Sequence, residues 1–367
     1  MINRTKYIIL IVFILFVVLI GYRSFNIMLP KDIKGNIKIM ANDNNYDYLK
    51  NAADEFMENN KKVNISIERK SDNEILNYLK DGNYENSPDL ITINSKRLRN
   101  LDEKALEKIN YANDIIESYN KNFNFARINE IGKGKDYLAV PIQSNPQILM
   151  IREDLLNEYG YKLEDIRTWK DLIDLAKNIK DKSQGKIDLF SYNDITIQEI
   201  EHILFYEGAN VNEKDEISSL IKNEDVMGKA SPLCYIANKN NYKTIINNNK
   251  DNSLKAIMIP AIMIGGNRSV VLDGDNIAML KNDNDEQDLS SRFITFLISN
   301  QSLMEKMFSG DGGFFPSSRN FYSNAIMDTK FKKLNGQQLW NIVTNVANRQ
   351  IEISDYSKFD ELINSSK

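Results

Sequence analysis

Reactive side chains are scarce in this chain: one histidine, His202, and one cysteine, Cys234, among 367 residues. A zinc site, a two-histidine metalloprotease helix, a paired-thiol redox centre and an internal disulfide all need more of these residues than are present. A Ser-His-acid triad could draw only on His202, which lies in the apolar, helix-like stretch EIEHILFY and reads as a structural helix residue. Asp273 and Asp275 in LDGDN form an acid pair without a recognisable catalytic setting. The acidic run NDNDEQD at 282–288 lacks the glycine and closing glutamate of an EF-hand loop and reads as a solvated helix start. The expectation is therefore a protein without covalent chemistry, metal or cofactor.

Length and composition bound the answer further. A chain of 367 residues suits two domains, since single domains usually hold roughly 100 to 200 residues. A hydrophobic fraction of 42% and a net charge of -4 describe a soluble body without the basic excess of a nucleic-acid binder, so no nucleic-acid partner is expected. At the N-terminus, Arg4 and Lys6 precede an unbroken apolar run from Tyr7 to Ile20, and Arg23 follows it. That run fits a signal h-region, and it falls short of the roughly 20 residues that span a bilayer comfortably. No small-x-small cleavage site follows it, and snorkelling basic residues would let it serve as a short span. Residues 1–24 are read as a membrane anchor that is retained, or as a signal segment that is removed near Gly21. In either case the positive-inside rule leaves the body outside the cell.

From Gly35 onward, strands and helices alternate. NIKIMAND places Ile37, Ile39 and Ala41 on one strand face, and Leu49, Ala52, Ala53, Phe56 and Met57 follow at helical spacing. KVNISIE alternates Val63, Ile65 and Ile67, and then Ser71 and Glu74 form a capping box before Ile75, Leu76 and Leu79, with Gly82 as a stop. PDLITIN supplies a third strand. Such β-α-β alternation predicts a parallel sheet with helices on its faces. Thr168 and Asp171 open a helix in TWKDLIDLAKNIKD. RSVVLDGDNIAMLKN reads as two buried strands interrupted by a Gly-Asp turn, and the Asn-rich stretch 238–252 reads as a loop. Ligands of open sheets bind beyond the carboxyl ends of the strands, which points to ANDNN after the first strand and INS after the third.

With these segments in order, the chain resembles the extracellular solute-binding proteins of ABC importers, in the group of sugar and oligosaccharide receptors. The resemblance rests on the joint order of IKIMA, NAADEFMENN, PDLI, YLAVPIQSNPQILMIREDLLNEYG, TWKDLIDLAKNIK, YEGANVNEKDE, LDGDNIAMLKN, FITFLIS and GGFFPSS across roughly residues 36 to 320. It implies an α/β, type II periplasmic-binding-protein-like fold, with two hinged lobes joined by crossover strands near Asn145 to Gln147, Val271 to Asp275 and Phe315 to Ser318. Lobe 1 would comprise 36–145 plus 271–316, and lobe 2 would comprise 146–270 plus 317–367. The interval between ASPLCYIANKN and KAIMIP is shorter than the family's, so the second lobe is expected to be reduced. The partners implied are a small polar solute, of carbohydrate type, and the permease subunits that recognise the closed form, with the membrane held through the N-terminal segment. A membrane-tethered sensing module, reporting a ligand to a partner such as a histidine kinase, is the alternative.

Sugar sites combine aromatic faces with amides and carboxylates that bond vicinal hydroxyls. In the order the resemblance implies, the candidates are Asn42, Asp43 and Asn44 after the first strand, Ser95 after the third, and Ser144 beside the first crossing. Tyr192 and Asn193 in LFSYNDIT, Asp275 at the return crossing and Phe314 in GDGGFFPSS complete the set. Competing structural roles exist for each: Asp43 or Asn45 as a helix cap, Ser95 and Ser144 as turn residues, and Phe314 as a hinge aromatic. Trp169 matches the family's structural tryptophan, and Trp340 shares a helix face with Val343 and Thr344 and reads as core. LIGYRS has the spacing of the family's lipidation box with Tyr22 in place of the cysteine, so any membrane attachment must come from the apolar run itself.

Overall fold

A computed structural model describes residues 33–352, apart from 82–86, 100, 102–104, 110–120, 134–135, 192–196, 208–226, 282–286 and 311–312. The expected anchor, Gly82, Tyr192, Asn193 and the run 282–286 lie outside the described residues, and among the described residues no helix is long and apolar enough to cross a membrane.

The opening pattern folds as its periodicity requires. Strand β1 (Gly35–Ala41) buries Ile37, Ile39 and Ala41, and helix α1 (Asp43–Asn59) buries Leu49, Ala52, Ala53 and Phe56 against it. Strand β2 (Val63–Arg69), helix α2 (Asp72–Asp81) and strand β3 (Leu90–Asn94) follow. The Ser71 hydroxyl accepts from the Glu74 amide at 3.3 Å, while the Glu74 carboxylate accepts from the Ser71 amide at 2.7 Å, which is the reciprocal cap expected. Next come the short helix α3 (Ser95–Arg99), helix α4 (Phe125–Ile131), the two-residue strand β4 (Val140–Pro141), strand β5 (Pro146–Arg152) and helix α5 (Glu153–Glu158). Helix α6 (Trp169–Lys182) is opened by Thr168 and Asp171, whose side chain and amide exchange hydrogen bonds of 3.2 and 2.8 Å.

Helix α7 (Ile197–Glu207), strand β6 (Cys234–Ala237), helix α8 (Tyr242–Asn248), strand β7 (Leu254–Met258), strand β8 (Val270–Val271) and strand β9 (Asp275–Met279) complete the sheets. Helices α9 (Gln287–Ser299), α10 (Gln301–Ser309) and α11 (Leu339–Asn348) close the described chain. The stretch 238–252, expected as a loop, contains α8. Tyr242, Ile245 and Ile246 are buried at helical spacing, and this apolar stripe prevails over the low helix propensity of the asparagines.

The strands form two main sheets. The first runs β2-β1-β3-β9-β4, parallel among β1, β2 and β3, with β9 antiparallel to both of its neighbours. The second runs β6-β5-β7 and is antiparallel throughout, with β8 also pairing with β5. Residues of β5 alternate between two apolar cores. Leu149 and Ile151 face the core of α6 and α7, whereas Ile148 and Met150 join a core that continues through Trp340 and Phe308 to the first sheet.

Three segments connect the sheets side by side. The Asn145 amide donates to the Asp273 carbonyl, the Leu272 amide donates to the Asn145 carbonyl, and β8 pairs Val270 and Val271 with Gln147 and Pro146. On the other side, the Ser144 amide donates to the Phe315 carbonyl and the Ser317 amide to the Ile142 carbonyl. This three-stranded ribbon carries few hydrogen bonds, so it is the most compliant backbone link between the two sheets.

Candidate functional site

At the carboxyl end of β1, five side chains close a hydrogen-bonded ring. The Asn42 amide donates to Asp275 at 3.3 Å, Asn45 donates to the Asn42 side-chain oxygen at 2.6 Å, and Gln143 donates to the Asn45 side-chain oxygen at 2.7 Å. Lys239 donates to the Gln143 side-chain oxygen at 2.9 Å, and its ammonium lies 3.6 Å from the Asp275 carboxylate, which completes the circuit. Asn42 also donates to Asp72 at 2.9 Å, and its own amide donates to the Thr92 hydroxyl at 2.7 Å. Four ring members come from the first sheet's end and the first crossing. Lys239 comes from the turn after β6 in the second sheet.

Beneath the ring lies a buried cation. The Arg127 guanidinium forms an ion pair with Glu130, donates to Ser95 at 2.6 Å, to Asn276 at 2.9 Å and to the Gln143 carbonyl at 3.1 Å. It sits flat on Gly274, where a Cβ would collide with the guanidinium. Glycine at 274 is thus required for close approach, and this fixes the backbone that presents Asp275. Beside it, Asp273 adopts φ 77°, accepts from Asn94 and lies 3.9 Å from Lys96. Burial raises the Asp273 carboxyl above the ordinary range; Lys96 opposes that shift and Asp275 adds to it. His202 is lowered by burial and then by the charge of Lys96.

Next to the ring opens a cavity of about 280 Å³, lined by Lys239, Asn240, Tyr242, Phe314 and Trp340 among others. Trp340 meets Phe308 edge-on at a centroid distance of 4.7 Å and Tyr242 at 5.6 Å, and Phe314 packs against Tyr48 at 4.4 Å. Aromatic faces beside amide and ammonium donors favour a ligand with apolar C–H surfaces and polar edges. Among the described residues no cluster of histidine, cysteine, aspartate or glutamate is arranged to hold a metal ion.

The sequence candidates are distributed unevenly over this site. Asn42 and Asp275 are ring members, and Phe314 lines the cavity. Asn42, not Asp43 or Asn45, is the N-cap residue of α1, and its side chain is engaged in the ring instead of capping the helix. Asp43 is exposed and bonds Arg69 at 2.6 Å, and Asn44 contributes its carbonyl to Gln143 at 3.0 Å. The Ser95 hydroxyl is committed to Arg127, Asn276 and the Gly274 carbonyl, and the Ser144 hydroxyl meets that of Ser317 at 2.8 Å across the hinge. Asn45, Gln143, Lys239 and Arg127 were not among the candidates. Gln143 stands in the crossing segment PIQSNP and Lys239 lies two residues past the strand CYIA, positions a strand-end search would reach. Trp169, by contrast, is wholly buried and donates its indole N–H to Glu207 at 2.6 Å.

Comparison with known proteins gives this geometry a context. The model of the family described as bacterial extracellular solute-binding protein matches residues 42–304. An arabinooligosaccharide-binding protein of Halalkalibacterium halodurans is 22% identical over 313 residues, covering 74% of this chain and 68% of the relative. Among solved structures, the sugar-binding protein MalE of Xanthomonas citri superposes with a TM-score of 0.73 at 13% identity, covering 90% of each chain. Maltose-bound MalE3 of T. maritima gives 0.63 at 14% identity, covering 89% of this chain and 91% of that one. A transporter-associated binding protein of B. animalis subsp. lactis in complex with β-1,6-galactobiose gives 0.57 at 13% identity, covering 86% of each chain. The structural likenesses establish the two-lobe fold.

Proposed function

Because the chain belongs to the bacterial extracellular solute-binding protein family, we propose that it captures a small carbohydrate between its lobes and delivers it to the permease of an ABC importer. The lobes are residues 36–145 with 271–316 and residues 146–270 with 317–367, and the apolar N-terminal run keeps the body at the outer face of the membrane. The observation that carries this reading is the cavity of about 280 Å³ at the junction of the two sheets, with Trp340, Tyr242 and Phe314 as faces and Lys239 and Asn240 as polar edges. Its size suits one or two sugar rings better than a long chain. The ligand is held by stacking and hydrogen bonds and leaves unchanged. Closure follows because only the closed form lets a solute touch both lobes.

A thermal-shift screen of the full chain in detergent, against monosaccharides, disaccharides, pentose oligosaccharides, polyols and amino acids, tests the assignment. A solute present at 100 times its Kd stabilises the native state by about 2.7 kcal/mol, or about 4 °C for a chain of this size. A shift by a sugar that disappears in Trp340→Ala supports the reading. A shift by amino acids alone, with every carbohydrate silent, would refute it.

A further inference from the structure

Among the described residues four large apolar side chains stand exposed, and two of them are neighbours at one tip: Met263, 42% exposed, and Ile264, 80% exposed. They lie in the connection from β7 to β8. The Gly266 amide donates to the Met263 carbonyl at 2.9 Å, and Gly265 adopts φ 80°, so residues 263–266 form a tight turn whose third position needs the left-handed region that glycine enters freely. Ile264 takes the second position, with its side chain in water.

This turn is tied down at its base. The Trp169 amide donates to the Ala261 carbonyl at 2.9 Å and the Ala261 amide donates to the Arg167 carbonyl at 3.3 Å, which makes a short parallel bridge between Thr168 and Ala261. Arg268 closes the connection from the other side, donating to the Ile259 and Met258 carbonyls at 3.0 Å each. Ala261 and Ile262 are buried, so the backbone hides two apolar residues and presents the next two. The segment bridged to Ala261 also carries Arg167 and Lys170, both exposed. Asp171 follows them, but its carboxylate is engaged as the cap of α6, accepting from the Arg167 and Thr168 amides at 3.1 and 2.8 Å. Glu207 is buried and accepts from the Trp169 indole.

A convex tip of two apolar side chains beside exposed cations suits a lipid interface better than a folded partner. A protein would have to supply a pocket shaped for the tip, whereas the boundary between headgroups and acyl chains deforms around it, and anionic headgroups attract the neighbouring arginine and lysine. We propose that the Met263–Ile264 turn is a membrane contact: its two apolar side chains enter the outer lipid interface while Arg167 and Lys170 face anionic headgroups. The contact presupposes the membrane attachment read above and is independent of the solute the cavity takes. The N-terminal run joins the body through β1 in the first sheet, and the tip belongs to the connection leaving the second. Two contacts on different sheets define an orientation over the bilayer that a single attachment leaves open.

The test reconstitutes the full-length chain into vesicles of phosphatidylglycerol and phosphatidylcholine. An environment-sensitive fluorophore is placed on Met263→Cys, or on Glu58→Cys in α1 as an exposed control. Cys234 is wholly buried, and burial raises its thiol well above the ordinary range, so it stays unlabelled. Emission from position 263 should shift to the blue, and nitroxide-bearing lipid should quench it several-fold more than emission from position 58. Adding Ile264→Asp should abolish the shift, and Arg167→Gln with Lys170→Gln should shrink it. The substituted side chains are exposed, and circular dichroism of each variant checks that the fold is kept. A label at 263 as open to water as the one at 58, or a blue shift that survives Ile264→Asp, would overturn the contact. A shift that appears only when permease is reconstituted alongside would overturn it too, by assigning the turn to a protein partner. Vesicle flotation separates the two readings: a chain that does not float refutes membrane attachment and the contact together, whereas a chain that floats with position 263 in water refutes the contact alone.

Discussion

Replacing Arg127 by methionine removes the cation buried beneath the ring. Methionine fills most of the same volume, but it leaves the Glu130 carboxylate, itself buried, without its ion-pair partner, and it strips a donor from Ser95, Asn276 and the Gln143 carbonyl. Breaking a buried pair from one side costs about 3–5 kcal/mol, far more than the net worth of the pair, because the remaining charge stays desolvated. At an unfolding entropy of about 0.7 kcal/mol/K for a chain of this length, that cost corresponds to a fall of about 4–7 °C in Tm. Scanning calorimetry of wild type, Arg127→Met and Arg127→Met/Glu130→Gln is the assay. The double variant should recover part of the loss, since a neutral amide at 130 can still bond Gln350, which now donates to Glu130 at 2.6 Å. Lys50→Met, which breaks an exposed pair with Asp54, should shift Tm by less than about 1 °C. An unchanged Tm in Arg127→Met, or a double variant worse than the single, would refute the assignment of Arg127 as the buried counter-charge that holds the strand ends in place.

Two further outcomes follow from groups elsewhere in the fold. Burial raises the Glu207 carboxyl well above its ordinary value of 4.5, so its share of stability is present below about pH 4.5 and is lost as pH rises through the raised value. Glu207→Gln keeps an acceptor for Trp169 and removes that loss, so the Tm difference between variant and wild type should be near zero at pH 4 and grow in the variant's favour with pH; a difference independent of pH would contradict it. Gly313→Ala forces a Cβ into a left-handed conformation against the Lys239–Asn240 turn and should lower Tm by about 2 °C, read by the same calorimetry, with an unchanged Tm counting against the close approach described.

Much of this protein was legible without coordinates. The alternation in IKIMA and KVNISIE and the caps Ser71–Glu74 and Thr168–Asp171 depend on neighbours a few residues apart, so local physics decides them. The order of the segments was likewise enough to point to two hinged lobes, and Asn42, Asp275 and Phe314, named from strand ends and crossings, lie in the ring or the cavity lining. The helix within 238–252 was missed because asparagine-rich sequence speaks against helix, while the burial of Tyr242, Ile245 and Ile246 against distant partners speaks for it. Asp43 and Ser95 stood in suitable places, yet their bonds go to Arg69 and to Arg127.

The ring shows the division most clearly. Its bonds join residues up to 233 positions apart, from Asn42 to Asp275. A hydrogen bond depends on distance and direction in space, and nothing in the spacing of Lys239 along the chain announces that its ammonium will meet a carboxylate on another sheet. Sequence determined which groups were available and which chemistry they exclude; the folding of two sheets about a three-stranded hinge decided which of them meet.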